Sequence, residues 1–285
     1  MRLLLLTPSQ DEPRFAAIAS DLAERLAAPL RPAGIEVVTR SWTEVGDLAG
    51  FDAVTPLLAW GYHAREAEWR ALLDRLDEGG TRTVNSVEIL AWNTQKSYLA
   101  ELEEAGAPIV PTLFVDRLTP AAIAEAHERF GHDLIVKPQV SGGSFGTIRL
   151  PPGGPLAGGP PGPAMLQPFL PAVAEEGELS LLYFGGTFSH AIAKVASAGD
   201  FRVQYQYGGA YRAIEATPEM RRVADQVLQA AGQALAYARI DLIRDRAGEL
   251  RLMELEAIEP DLYLDLSPDG GAMFAQAIRA AIGSP

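Results

Sequence analysis

The chain has no cysteine, which excludes a disulfide framework, a thiolate zinc site and a cysteine nucleophile, and fits a cytoplasmic home. No apolar run approaches the roughly 20 residues of a membrane-spanning helix. The opening "MRLLLLTPSQ" has an apolar core of signal-peptide type, but it lacks a small-residue cleavage site and runs into "DEPR", so a first β-strand is the better reading. Cations are scarce: 24 Lys and Arg stand against 37 Asp and Glu, a formal net charge of -13. That balance argues against nucleic acid or an anionic membrane as a partner. The four histidines, His63, His127, His132 and His190, show no ligand spacing, so no zinc is expected, and no serine sits in a nucleophile elbow.

What is present is an ordinary globular composition, 48% hydrophobic and 21% charged over 285 residues, enough for two or three lobes with cores of their own. There is no internal repeat. The first third runs "RLLLLT", an amphipathic segment from Pro13 to Leu30, "IEVVTRSW" and "FDAVTPLLAW". Phe15, Ile18, Ala19, Leu22 and Leu26 recur at helical spacing and are expected to form one core-facing stripe. Strand, helix, strand points to a small parallel sheet, whose ligands gather beyond the carboxyl ends of its strands, where "WGYH", Trp60 to His63, falls.

A second helix is expected from Ala64 to Glu78, a short strand in "GGTRTVN", and one capped helix in "WNTQKSYLAELEEAGAPIVPT", closed by Gly106. The pattern then turns to strands "DLIVKP", "AMLQPFL", "GELSLLYFGG" and "TFSHAIAKV", the last two forming a hairpin around Gly185 and Gly186. Residues 151–163, "PPGGPLAGGPPGP", are expected as an exposed loop. Thr217 caps a further helix with Pro218 at its first position, and Met220, Val223, Ala224, Val227, Leu228 and Ala231 trace its core stripe. "ARIDLIRD" and "ELRLMELE" pair around the turn "RAGE".

That last strand continues as "RLMELEAIEP", with Glu254, Glu256 and Glu259 in an otherwise apolar run. Strand alternation puts Leu250, Leu252, Glu254 and Glu256 on one face. Two buried acids side by side demand a cation between them. Asp241, one hairpin earlier, is expected to join them, making an oxygen-rich set suited to magnesium, the other reading being solvated acids with Arg251 as partner. In "LIVKPQVSGGSFGTIRL", Lys137 ends an apolar strand and the glycines after it can present N–H groups to phosphate oxygens. The Gly-Lys-Ser/Thr ending of a Walker A loop is absent.

With Lys96 in "WNTQKSYL", Lys137 in "VKPQVSGGSFG", the stretch "LQPFLP" and the acids of "LMELEAIEP" in this order, the chain resembles the ATP-grasp superfamily of carboxylate–amine ligases, in its glutathione synthetase-like or ribosomal-modification ligase-like branch. The resemblance implies an α/β fold: an N-terminal pre-ATP-grasp domain with a small parallel sheet over residues 1–92, then two α+β lobes clasping the nucleotide. Residues 93–168 would carry the phosphate lid and 169–285 the metal site. ATP and Mg2+ are the implied cofactors, and a small-molecule carboxylate and amine the implied substrates. Homodimers are common among relatives, although no interface signal stands out in the sequence.

By the same resemblance Lys96 and Lys137 contact the phosphates, with Lys137 also near the adenine. Ser141, Gly142, Gly143, Ser144, Phe145 and Gly146 close over the phosphates. Gln167, Phe169 and Leu170 form the hinge at the adenine edge, Glu175 or Glu178 holds the ribose, and Asp241, Glu254 and Glu256 hold magnesium. Glu256 replaces the Asn of many members, which bears on the number and charge of the metals bound. In "AKVASAGDFRVQYQYGG", Lys194 and Arg202 are similarly placed to basic residues that hold an acceptor carboxylate or the γ-phosphate, and Gly208 and Gly209 to glycines that line the site. Otherwise Lys194 is an edge lysine reaching for water and Arg202 a surface ion-pair partner. Trp60, Tyr62 and His63 line a substrate pocket or simply pack, and Glu259 touches substrate or closes a loop.

The implied chemistry is transfer of the γ-phosphoryl group to a carboxylate, followed by attack of an amine on the acyl phosphate, which explains why no dedicated nucleophile is visible. "GDFRVQYQYGG", "IDLIRD" and "MELEAIEP" look most similar to ring-closing cyclo-ligases of this branch. The alternatives are an intermolecular peptide-type ligase, a non-catalytic nucleotide-binding regulatory protein, and an exported solute-binding protein, which lacks its signal peptide here.

Overall fold

The computed structural model describes residues 1–9, 11, 13–195 and 208–283. The first segment supplies β1 (Arg2–Thr7), α1 (Pro13–Leu30), β2 (Glu36–Ser41), β3 (Ala53–Thr55) and α2 (Glu66–Glu78). The three strands form the expected parallel sheet, ordered β2-β1-β3. The unbroken apolar run of β1 has a reason: the strand is covered on both faces. Leu3 and Leu5 join one core and Leu4 and Leu6 another, the latter with Trp69 and Leu73 of α2. Burying each leucine contributes roughly 1.5–3 kcal/mol. The strand expected in "GGTRTVN" is only a bridge between Val54 and Thr83.

Next come α3 (Val87–Thr94), α4 (Tyr98–Glu104), β4 (Leu113–Val115), α5 (Pro120–Phe130), β5 (Leu134–Pro138), β6 (Ile148–Leu150) and β7 (Ala164–Pro168). The single helix expected over "WNTQKSYL" is two. Gln95 between them is extended (φ -110°, ψ 122°), which lets the Lys96 N–H reach the Gln139 carbonyl (2.8 Å) instead of a helical partner. Strands β4-β7-β5-β6 form an antiparallel sheet, with residues 151–163 an irregular connection between β6 and β7.

The rest is α6 (Ala172–Glu175), β8 (Glu178–Phe184), β9 (Thr187–Val195), β10 (Ala210–Ile214), α7 (Pro218–Ala231), β11 (Tyr237–Arg244), β12 (Leu250–Glu256) and α8 (Ala272–Gly283). Five antiparallel strands lie in the order β10-β9-β8-β11-β12. The β8–β9 hairpin turns on Gly185 and Gly186, both left-handed at φ 56° and 73°. The Thr217 hydroxyl caps α7 by accepting the Met220 N–H (3.2 Å), and Met220, Val223, Ala224 and Val227 bury against the sheet. Phe274 and Ile278 of α8 return to the core of the first sheet beside Leu3 and Leu5, so the N-terminal unit is completed by the end of the chain. Asn85 stitches the two together: its buried amide donates to the carbonyls of Tyr237 (3.0 Å) and Ala257 (2.8 Å) and accepts the Ala236 N–H (2.8 Å). No helix among the described residues is long and apolar enough to cross a membrane.

Candidate active site

Strand β11 delivers its side chains alternately. Ala238, Ile240 and Leu242 enter the core beneath α7, whereas Arg239, Asp241 and Ile243 look into a cleft of about 740 Å³. On β12 the structure overturns the expected faces. Asp241 pairs with Glu254 but Leu242 pairs with Leu252, so the register skips Met253. That one-residue bulge brings Leu255 into phase with Leu250 and Leu252 in the core and turns Glu254 and Glu256 to the cleft.

As the edge strand of its sheet, β12 has a free row of backbone groups to satisfy. The chain around α3 and α4 covers it. The Leu252 N–H donates to the Pro108 carbonyl (2.7 Å) and its carbonyl accepts the Val110 N–H (2.9 Å). Tyr98 both donates to the Leu255 carbonyl (2.9 Å) and accepts its N–H (3.1 Å). Asn93 donates to the Leu255 carbonyl (2.7 Å) and accepts the Ala257 N–H (2.8 Å). The backbone that carries Glu254 and Glu256 is thereby held on both sides.

The cation demanded by the paired acids is supplied by the protein. The Lys96 ammonium lies 2.8 Å from Glu254 and donates to the Ser141 carbonyl (2.7 Å), tying the glycine-rich loop to β12. Arg239 pairs with Asp241 (3.0 Å) and with Glu256. Lys194 pairs with Asp241 (3.1 Å) and Glu178, and the Ser180 hydroxyl also donates to Asp241. Burial opposes the Asp241 charge, but Arg239 and Lys194 outweigh it and hold its carboxyl below the usual range. Burial and the neighbouring Arg239 oppose the Lys194 charge, yet Asp241 and Glu178 keep its ammonium protonated above the usual lysine range. Burial pushes Glu256 up to about 7 against the pull of Arg239, and Glu259 up to about 8 with Glu256 adding to it.

Lys137 differs from these cations. It faces the cleft, burial lowers its pKa, and among the described residues its ammonium has no hydrogen bond or ion pair. Beyond it, Ser141, Gly142, Gly143 and Ser144 line the cleft. Gly142 lies so close to His63 and Glu259 that an added Cβ would stand 3.2 Å and 3.5 Å from them. Phe145 and Gly146 do not line it. Phe145 is exposed with its ring 5.3 Å from that of His63, and Gly146, left-handed at φ 69°, sits against Pro138.

Gln167, Phe169 and Leu170 line the cleft. The Phe169 backbone is already engaged, its N–H with the Asp133 carbonyl (2.7 Å) and its carbonyl with Arg246 (3.3 Å), so its free contribution is the ring, stacked by Arg149 at 3.8 Å. Of the two ribose candidates, Glu178 is buried on the cleft wall, whereas Glu175 is exposed on α6 and does not line it. Lys194 is no edge lysine: β9 is flanked by β8 and β10, and the side chain is 5% exposed. Trp60, Tyr62, His63 and Glu259 line the cleft. Gly208 and Gly209 do not, and Arg202 lies outside the described residues.

The three acids expected to hold magnesium, Asp241, Glu254 and Glu256, share the cleft, with Lys96 on Glu254 and Arg239 shared between Asp241 and Glu256, and among the described residues no three acidic or histidine side chains close up as a metal site. The donor chemistry still fits, because magnesium needs only one or two carboxylates when phosphates complete its shell, and Asp241 and Glu254 are direct cross-strand partners.

Arg239, Asn93 and Tyr98 are among the residues that were not anticipated. Arg239 had a visible signal, a strand position two residues before Asp241 and therefore on the same face. Asn93 and Tyr98 had none, because their partners are backbone groups more than 150 positions away.

Residues 3–85 match the family described as D-cycloserine synthetase DcsG, N-terminal domain, and residues 160–259 match prokaryotic glutathione synthetase, ATP-grasp domain. The cycloserine biosynthesis protein DcsG of Streptomyces lavendulae is 30% identical over 275 residues, which cover 87% of this chain and 89% of that protein. Glutathione synthetase of Ralstonia nicotianae is 26% identical over 289 residues, covering 93% and 83%. The crystal structure of D-cycloserine synthetase DcsG superposes with a TM-score of 0.83 at 28% identity, over 99% of this chain and 100% of that one. The chain therefore belongs to the ATP-grasp ligases of glutathione synthetase type, enzymes that join a carboxylate to an amine using ATP.

Proposed function

We propose that the cleft binds ATP as its magnesium complex, phosphorylates the carboxylate of a small substrate, and delivers the acyl phosphate to an amine. The observation that carries this reading is Lys137, which faces the cleft with its ammonium in no hydrogen bond or ion pair among the described residues. It calls for an anionic ligand, and a glycine-rich loop able to present N–H groups lies next to it. In this reading Lys96 and Lys137 hold the phosphates, and Ser141 to Ser144 cover them. Gln167 and Leu170 frame the adenine with the Phe169 ring, and Glu178 holds the ribose. Asp241, Glu254 and Glu256 are the residues that would hold magnesium, which when bound offsets phosphate charge. Lys194 and Arg239 hold positive charge on the cleft wall where the phosphoryl group is in flight. The covering loop excludes water from the acyl phosphate. Residues 1–92, 93–168 and 169–285 then act as the three units around the cleft.

Likeness to a cycloserine biosynthesis protein favours, as a second reading, a ring closure in which acid and nucleophile belong to one molecule. The test is magnesium-dependent ADP release against amino acids, short peptides and ureido or hydroxamate derivatives, with Glu254→Gln as control. Turnover abolished in the control supports the reading, and failure to bind ATP sinks it.

A further inference from the structure

Helix α1 carries two apolar stripes where the sequence suggested one. Ala19, Ala23, Leu26, Ala27 and Leu30 are buried. Phe15, Ile18 and Leu22, at positions i, i+3 and i+7, line the cleft; Leu22 also packs against the core, and Ile18 remains 49% exposed. Trp60 extends this wall, its ring 5.6 Å from that of Phe15. Tyr211 and Tyr263 add a second aromatic pair to the cleft lining, 5.3 Å apart and edge to face.

Tyr263 is held in the left-handed region at φ 46°, a conformation that non-glycine residues keep only where their surroundings impose it, commonly at functional sites. The Asp261 carboxylate accepts its N–H (3.0 Å), and its carbonyl accepts the Leu266 N–H (2.9 Å). The result brings its ring to 5.9 Å from the Arg239 guanidinium, which is itself bound to Asp241 and Glu256. The aromatic lining thus begins beside the charged groups assigned to phosphoryl transfer. It comes from elements other than those carrying Lys137, the glycine-rich loop and residues 167–170.

Apolar surface in a catalytic cleft is stabilised by an apolar occupant. We infer that the carboxylate substrate carries a bulky apolar or aromatic side chain, lodged between the α1 stripe and the Tyr211–Tyr263 pair, with its carboxylate toward Arg239. Asp21 and Asp261 line the same cleft, and their charge draws an α-ammonium group, so the substrate class is a hydrophobic amino acid or a derivative of one. This inference rests on the ligase reading and narrows it.

Hydroxylamine in place of the amine traps an acyl phosphate as a hydroxamate with release of inorganic phosphate, whichever nucleophile the enzyme uses. The full-length protein with magnesium and ATP is given alanine, serine, leucine, phenylalanine and tryptophan in both enantiomers, and kcat/KM for hydroxamate formation is compared. The expected result is a preference for leucine or an aromatic acid over alanine of at least about tenfold, the scale of discrimination by an apolar pocket. Ile18→Ser and Leu22→Ser should each cut that ratio at least about threefold, and Ile18→Ser should do so with an unchanged Tm because the side chain is half exposed. Equal or reversed preference, or a ratio insensitive to both variants, overturns the inference and leaves the ligase standing. No hydroxamate from any of these acids overturns the inference, and the ligase reading falls with it only if the protein also fails to bind ATP.

Discussion

Replacing Tyr98 by Phe removes one oxygen atom from a side chain that is 1% exposed, and the consequence can be worked through. The Leu255 carbonyl keeps its bond from Asn93 (2.7 Å), so on that side a single ordinary hydrogen bond is lost, about 1 kcal/mol. The Leu255 N–H loses its acceptor at 3.1 Å in a residue that is fully buried, and an unsatisfied buried donor costs about 1–3 kcal/mol. The sum is about 2–4 kcal/mol, which for a chain of this size corresponds to a fall in Tm of about 3–7 °C. Because the same bonds hold the backbone between Glu254 and Glu256, the magnesium concentration for half-maximal ADP release should rise as well. Thermal unfolding and a magnesium titration measure the two effects. Tyr183→Phe is the control: its hydroxyl bonds the Asp225 carboxylate (3.1 Å) on the α7 side of the sheet, so a smaller stability loss and an unchanged magnesium requirement are expected. A Tyr98→Phe protein with wild-type Tm and wild-type magnesium dependence would refute the claim that the edge of β12 is held from outside.

Lys137→Met should cut ADP release by about a hundredfold or more, and wild-type ADP release in this variant would remove Lys137 from the phosphate site. Gly177→Ala should cost at least about 2–4 kcal/mol in a urea titration, because the new Cβ would lie 2.4 Å from the Lys194 carbonyl oxygen at φ 90°. A neutral result would show that the β8–β9 backbone can give way there. Glu256 and Glu259 have folded pKa values of about 7 and about 8, above the 4.5 of an unperturbed Glu. The folded state therefore holds more protons than the unfolded one between those values, and stability falls as pH rises. The nucleotide-free protein should lose Tm steadily from pH 5 to pH 8, with a shallower slope in Glu256→Gln, and a Tm that climbs over that range would contradict the burial of these acids.

Much of this protein is legible along the chain because local physics decided it. Four leucines in a row mark a strand covered on both faces, Thr217 and Pro218 start a helix, and Gly185 and Gly186 turn a hairpin, each through interactions that span a few residues. Lys96, Lys137, the glycine-rich loop and the acids of β12 are visible in the same way, as charged or flexible residues set in apolar runs. Side-chain direction is different. Whether Glu254 and Glu256 share a face with Leu252 depends on a single skipped residue at Met253, and that bulge exists only in the pairing of β11 with β12. Phe15 and Ile18 satisfy the helical period of a core stripe, but tertiary packing assigned the core to the alanines and leucines beside them and left these two on the cleft. The acids call for a cation by sequence alone, yet only the fold determines that Lys96 and Arg239 supply it, because those residues come from other elements and reach the site through backbone geometry that no local pattern encodes.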